Sequence, residues 1–274
     1  MSITLDKLNH TKIIFEKLLE NKKFQKLTPW ILPISVILLW ELASRTGILP
    51  TRILPAPSSV IFTGIKLAST GELFVNLGIS AGRAITGFIV GGSLGFSFGL
   101  LNGFFRVAEK LFDSSLQMLR TIPHLALIPL VILWFGIGDQ ARLFLVSLGV
   151  FFPMYLNTFH GIRSVDPGLI EMGRVYGLKT PQLLWKIIFP GALSSILVGV
   201  RYSLGIMWLS LIVAETIAAD SGIGYMAMNA REFMQTDVVV LSIFIYSLLG
   251  KLADTAAKTL EEKFLEWNPN YRRA

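Results

Sequence analysis

The 274-residue chain contains no cysteine, which excludes disulfides and thiolate metal sites. It is also poor in charge. Asp, Glu, Lys and Arg make up 16% of it, against roughly 25% in an ordinary soluble domain. Its three histidines, His10, His124 and His160, are far apart and form no HExxH motif, so a metalloprotease reading has no support. No GxSxG nucleophile elbow occurs. The stretch GRVYGLKT nearly matches a phosphate-binding loop, but Leu178 stands where the second glycine is required and no strand precedes it. The chain is therefore not expected to hydrolyse ATP by itself, and neither a metal nor a cofactor is expected on it.

Apolar residues fill the space. They make up 53% of the chain, its mean hydropathy is +0.61, and the long runs recur from end to end, as in a protein that crosses a membrane repeatedly. Six spans are expected, over about 30–42, 84–105, 116–137, 143–159, 187–214 and 238–252. A span needs about 20 residues, so the first and last must borrow from their flanks. With the N-terminus inside, and with Arg120 and Lys251, near span ends, counted with the inner segments they adjoin, 18 of the 25 Lys and Arg fall in inner segments and six in outer ones, with Arg201 inside the fifth span. That bias follows the positive-inside rule with both termini cytoplasmic. The net charge of +7 is then topology, and no nucleic-acid motif accompanies it.

The expected organisation is a basic segment over 1–28, a transmembrane domain over 29–265 with a cytoplasmic loop over about 161–186, and a short tail over 266–274. In the first segment Leu8, Ile13, Ile14, Phe15, Leu18 and Leu19 interleave with lysines, which suits either an amphipathic helix on the lipid surface or a solvated basic tail.

Gly87, Gly91, Gly95, Gly99 and Gly103 recur at every fourth position of the second span, forming a smooth stripe where another helix can approach closely or slide. Pro123 and Pro129 each remove a helix hydrogen bond in the third span, so a kink or break bordering a translocation path is expected there. Arg201 costs about 2.5–3.5 kcal/mol in a span unless it meets water or a partner. It either offers positive potential to a crossing anion or pairs with a carboxylate such as Glu215 or Glu41; Glu215, at the end of the same span, is open to the same two readings.

The loop reads EMGRVYGLKTPQLLWKIIFP over its second part. Asp166–Pro167 and Thr180–Pro181 each read as a helix start, and Gly177 as a left-handed helix end between them. The first helix places Leu169, Met172, Gly173 and Tyr176 on one side, with Glu171 and Arg174 able to pair on another. The second helix is expected to run on into the fifth span. The result is either a surface linker or a knob that fits a groove on a soluble partner.

This pattern resembles the coupling loop of permease subunits of binding-protein-dependent ATP-binding-cassette importers: E-A-A, three residues, G, nine residues, I, one residue, L-P. Glu171, Gly177, Ile187 and Pro190 fall on the pattern, while Met172 and Gly173 replace the alanines and Phe189 the leucine. LPAPSSV, FFPMYLNTFHGIR and GYMAMNAREFMQTDVVV resemble the sulfonate, taurine and nitrate branch, most of all its aliphatic-sulfonate members. The resemblance implies an all-α integral membrane protein with the type I importer permease fold, in the bacterial inner membrane. It implies a non-catalytic homodimer with two ATPase subunits below it and a binding protein outside, surrounded by lipid and binding no nucleic acid. It also implies that Glu171, Met172, Gly173, Tyr176, Gly177 and Leu178 couple the chain to the ATPase. Aliphatic sulfonate is the implied substrate, with taurine, nitrate or bicarbonate as alternatives. A self-sufficient secondary transporter or channel would leave the loop motif without a role.

Overall fold

Proline and glycine punctuate a chain that is otherwise helical. The computed structural model describes residues 22–268, and among these no strand occurs. Most of the basic segment expected over 1–28, and the end of the expected tail, lie outside the described residues. Helix α1 (Lys22–Arg45) contains the apolar run of the first expected span, and α2 (Pro57–Ser69) follows. The chain divides into two compact units, one ending at Thr63 and the other beginning at Gly64. Within the first, the Glu41 carboxylate accepts from the Ser58 backbone N–H at 3.0 Å, the Ser58 hydroxyl at 2.8 Å and Arg45 Nε at 2.6 Å.

The second unit takes in the end of α2 and then a long helix. α3 (Glu72–Phe104) has 33 residues, about 50 Å at 1.5 Å per residue. It begins well before the expected apolar run, so Arg83 lies inside the helix rather than in an outer loop. α4 (Arg106–Thr121) carries Arg106, Glu109, Lys110, Asp113 and Arg120 at helical spacing and is strongly amphipathic, unlike the apolar span expected to start near 116. Its C-cap, Ile122, is extended because the next residue is Pro123, whose ring disfavours a helical predecessor. A 3-10 turn (His124–Leu127) leads into α5 (Ile128–Phe135), and the chain bends by 81° at this break. Pro129 makes no kink of its own. It sits in the first turn of α5, where its missing N–H had no helical partner to lose.

α6 (Asp139–Arg163) is followed by the short α7 (Pro167–Val175) and α8 (Thr180–Leu183). A π segment (Leu184–Ile188) joins α8 to α9 (Phe189–Ala218). α10 (Ile223–Glu232) and α11 (Thr236–Phe264) complete the unit. Among the described residues four helices are long and apolar enough to cross a membrane: Glu72–Phe104, Asp139–Arg163, the continuous Thr180–Ile217 and Thr236–Phe264. The bent pair Arg106–Thr121 and His124–Phe135 passes the same test as one broken span.

α6 is the central element, packed against α3 on one side and α9 on another. Val146 and Val150 of α6 meet Met207, Trp208 and Leu211 of α9 in the main core, which continues to Ile223, Met226 and Tyr246. All five glycines of the α3 stripe are buried, and each lies against α6. A Cβ on Gly87 would stand 2.5 Å from Val146 Cγ1, and one on Gly99 the same distance from Thr158 Cβ. At Gly91 the obstacle is backbone, the carbonyl of Ser147, which cannot turn aside as a side chain can. The absence of side chains thus lets two backbones touch, and the Ser147 hydroxyl donates to the Gly87 carbonyl at 3.2 Å.

Gly91→Ala is expected to cost about 1–3 kcal/mol through overpacking and to lower the melting temperature of the purified chain. Gly78→Ala, on the same helix with nothing within 4 Å of the new Cβ, should be neutral or slightly stabilising, since alanine is the better helix former. Equal melting temperatures for the two variants would contradict the close α3–α6 contact.

Candidate functional site

The loop after α6 is built from local capping. The Asp166 side chain accepts from the Gly168 N–H at 2.8 Å, and Pro167 occupies the first turn of α7. At the other end Gly177 has φ +77°, the left-handed region where glycine carries no Cβ penalty. The Leu178 N–H reaches the Gly173 carbonyl at 3.0 Å and the Gly177 N–H reaches the Arg174 carbonyl at 2.9 Å, which together make a Schellman motif. Gln182 then accepts from the Lys179 N–H at 3.0 Å at the start of α8. Lys179, rather than Thr180, is therefore the N-cap, with Pro181 in the first turn.

The four residues expected on one side of α7 divide in two. Gly173 is buried, and a Cβ there would meet Ile187 and Leu183 at 2.5 and 2.6 Å. Leu169, Met172 and Tyr176 are exposed, as is Val175. Tyr176 shows 78% of its surface, too much for a side chain with a packing role. Glu171 and Arg174 are also exposed, and they do not pair with one another. Gly173 thus seats α7 against α8 and the π segment, and the opposite side presents an apolar patch flanked by single charges.

Arg201 and Glu215 do not meet. Arg201 Nε is 2.6 Å from Asp254 of α11, and its Nη1 is 3.6 Å from Glu261. Pairing with α11 wins because the two helices pack side by side along this stretch, while Glu215 lies nearly four turns further along α9. Arg201 lines a cavity of about 660 Å³ together with Asp254, Glu261, Tyr202 and Gly205. A second cavity, of about 390 Å³, is lined by Ile122 and His124, on either side of Pro123, with Arg120, Gly149 and Asn157; Pro123 itself is not among its lining residues. Tyr202 and Ile206 of α9 line both cavities.

Glu215 is only 1% exposed and accepts from every side. Arg83 Nη1 donates to it at 3.0 Å, the Gly224 N–H at 3.0 Å and the Tyr246 hydroxyl at 2.9 Å, while the Ser80 hydroxyl lies 2.9 and 2.8 Å from its two oxygens. Ser80 in turn accepts from the Ile223 N–H at 2.9 Å. Arg83 also donates to the Ser221 carbonyl at 2.7 Å and to Asp139 at 2.7 Å, and Asp139 binds Arg142 at 2.7 Å. Gly222, at φ +104°, passes directly over the carboxylate, where a Cβ would stand 2.5 Å from Glu215 Oε1. The exposed loop carboxylate Asp220 is held below its ordinary range by its own backbone N–H and the Ser221 hydroxyl, with Arg142 and Arg83 adding attraction.

Sequence reasoning missed Arg83 and Arg142, which were placed in outer loops. Both are buried, at 7% and 4% exposure. The available signal was spacing: Arg83 lies one turn before Gly87 on the same face, and Arg142 lies three residues after Asp139.

Removing one partner of the buried pair leaves the other uncompensated, at a cost of about 3–5 kcal/mol. Glu215→Gln and Arg83→Gln are each expected to lower the melting temperature strongly, and the double variant by less than the sum, with a coupling of about 0.5–3 kcal/mol. A double-variant cycle by thermal unfolding in detergent measures this, and additivity would mean that the two groups act separately.

Comparison with known proteins agrees with this architecture. Residues 87–266 match the family described as binding-protein-dependent transport system inner membrane component. The Escherichia coli K12 protein SsuC, named as an aliphatic sulfonates transport permease, is 58% identical over 246 residues, covering 90% of this chain and 94% of that one. SsuC of Bacillus subtilis 168, with the same name, is 45% identical over 250 residues, covering 91% of each chain. The taurine transport system permease protein TauC of E. coli K12 is 29% identical over 238 residues, covering 85% of this chain and 86% of its own. A chain from the crystal structure of an amino acid ABC transporter with histidines superimposes with a TM-score of 0.61 at 16% identity, covering 72% of this chain and 96% of its own, a likeness of fold. The chain belongs to the family of inner membrane components of binding-protein-dependent transport systems.

Proposed function

We propose that this chain is the permease subunit of an ATP-binding-cassette importer and forms the pathway for ATP-driven uptake of aliphatic sulfonates. ATP is hydrolysed by a separate subunit, present in two copies. A binding protein delivers the substrate from outside, and two copies of the permease make up the pathway in the lipid bilayer of the inner membrane. Both termini and the loop carrying α7 face the cytoplasm, in line with the bias of Lys and Arg toward those segments. The sulfonate assignment rests on the two SsuC relatives at 58% and 45% identity, against 29% for the taurine permease.

The observation that carries the mechanical part is the construction of α7. Its exposed Leu169, Met172, Val175 and Tyr176 offer an apolar knob to a soluble groove. Its buried Gly173 and Schellman end fix that knob against Leu178, Leu183 and Ile187. From there the chain continues helically from Thr180 to Ile217, so a push on α7 reaches the membrane core without crossing a flexible joint. Glu171, Met172, Tyr176 and Leu178 supply the contact surface, and Gly173 and Gly177 set its geometry.

The test is uptake of labelled alkanesulfonate into proteoliposomes holding the permease, its ATPase and its binding protein, with and without ATP, and with taurine and nitrate as competitors. ATP-dependent uptake blocked by other sulfonates alone is expected. Uptake of nitrate or taurine in preference would overturn the substrate assignment, and uptake driven by an ion gradient without ATP would overturn the importer. Gly177→Val, which forces a β-branched residue to φ +77° at about 1–2 kcal/mol, should lower coupled uptake about ten-fold while the chain still inserts. Parental uptake by that variant would sink the role assigned to the loop.

A further inference from the structure

Two adjoining cavities flank α9, and they differ in charge. In the larger, the guanidinium of Arg201 is already engaged by Asp254 at 2.6 Å and Glu261 at 3.6 Å. An anion entering there meets two carboxylates with the one arginine. In the smaller, the described lining residues include a cation, Arg120, and no carboxylate. No carboxylate among the described residues pairs with Arg120. Arg120 lies in the last turn of α4, where the broken span brings it beside α6 and α9.

Arg120 is exposed, and the polar groups that line the same cavity are held in place by bonds of their own. His124 Nε2 lies 3.0 Å from Ser210 Oγ, which leaves Nδ1 as the ring nitrogen available to another partner. Gly149 makes that pair possible, because a Cβ there would stand 2.5 Å from Ser210 Oγ and 3.3 Å from the imidazole. Asn157 Nδ2 donates to the Pro153 carbonyl at 2.8 Å, which sets the amide while a second N–H remains. Ile122, Phe152, Leu156 and Ile206 provide apolar walls. The volume, about 390 Å³, lies within the range of small-ligand sites, about 300–1,000 Å³.

We propose that this cavity is a substrate subsite within the membrane chain for a short alkanesulfonate, with the sulfonate oxygens on Arg120 and the alkyl tail against Phe152, Leu156 and Ile206. The inference rests on the sulfonate reading given above. A guanidinium presents paired N–H donors to an oxyanion, and the walls receive a tail that a nitrate or bicarbonate ion lacks. Arg201, the arginine that sequence alone singles out, is left to join α9 to α11.

Binding of radiolabelled hexanesulfonate to the permease–ATPase complex in nanodiscs, without the binding protein, tests this. The parent complex should bind saturably. Arg120→Gln should weaken binding at least about ten-fold, the factor given by 1.4 kcal/mol, while Arg120→Lys keeps part of it. Phe152→Ala should reduce the preference for hexanesulfonate over methanesulfonate. Melting temperature and basal ATP hydrolysis, measured on each variant, identify any that have failed to fold. Absence of saturable binding to the parent, or parental affinity in a folded Arg120→Gln complex, overturns the subsite. Uptake assays on the same preparations separate the two readings. ATP-driven sulfonate uptake with no subsite binding leaves the importer standing, and preferential uptake of another anion removes the sulfonate reading itself.

Discussion

A carboxylate that cannot reach water sets the terms for one end of this molecule. Glu215 sits at the end of a membrane-spanning helix with almost no exposed surface, where an uncompensated charge would cost several kcal/mol. The surrounding elements converge to satisfy it. Ser80 and Arg83 come from α3, Gly224 from the start of α10 and Tyr246 from α11. Arg83 then needs more acceptors than one carboxylate offers, and finds them in Ser221 and in Asp139 at the start of α6. Five helices, that of Glu215 included, and a connecting loop are thereby indexed to one another by hydrogen bonds, which are directional where apolar packing is not.

The rest of the bundle is organised by proximity. α3 and α6 approach until glycine Cα atoms meet backbone, so small changes of side-chain volume along this seam are felt directly. α9 faces α6 along most of its length and turns another side to α11. The two cavities open where α9 lies beside the broken span and beside α11, and Tyr202 and Ile206 separate them. The fold therefore combines close backbone contact between α3 and α6 with open space where α9 passes the broken span and α11, an arrangement suited to a chain that must hold together and still let something pass.

Features that depend on a few consecutive residues were legible in the sequence. The caps of α7, the left-handed Gly177 and the break at Pro123 follow from local backbone chemistry, and the all-helical membrane class follows from composition. Pairing across helices was not legible, because it depends on how each helix is rotated about its axis. Arg83 and Glu215 are 132 positions apart, and nothing near either residue indicates the other. Arg201 has Asp254, not Glu215, as its partner for the same reason. The polar face of α4 interrupts its apolar residues, so a continuous apolar run marks only its C-terminal end. Pro129 was expected to act like Pro123, but a proline bends a helix only where it stands inside one already begun.

The π segment between α8 and α9 sets a helical phase. An α-helix advances about 100° per residue, and a π turn takes in an extra residue without ending the helix. Residues before Leu184 therefore face a direction offset from the one that uninterrupted α geometry would give them. Relaxing Leu184–Ile188 to α geometry would turn everything upstream, α7 included, by roughly that angle about the axis of α9. The five residues of the segment thus aim the loop as well as connect it, and they do so by angle rather than by reach.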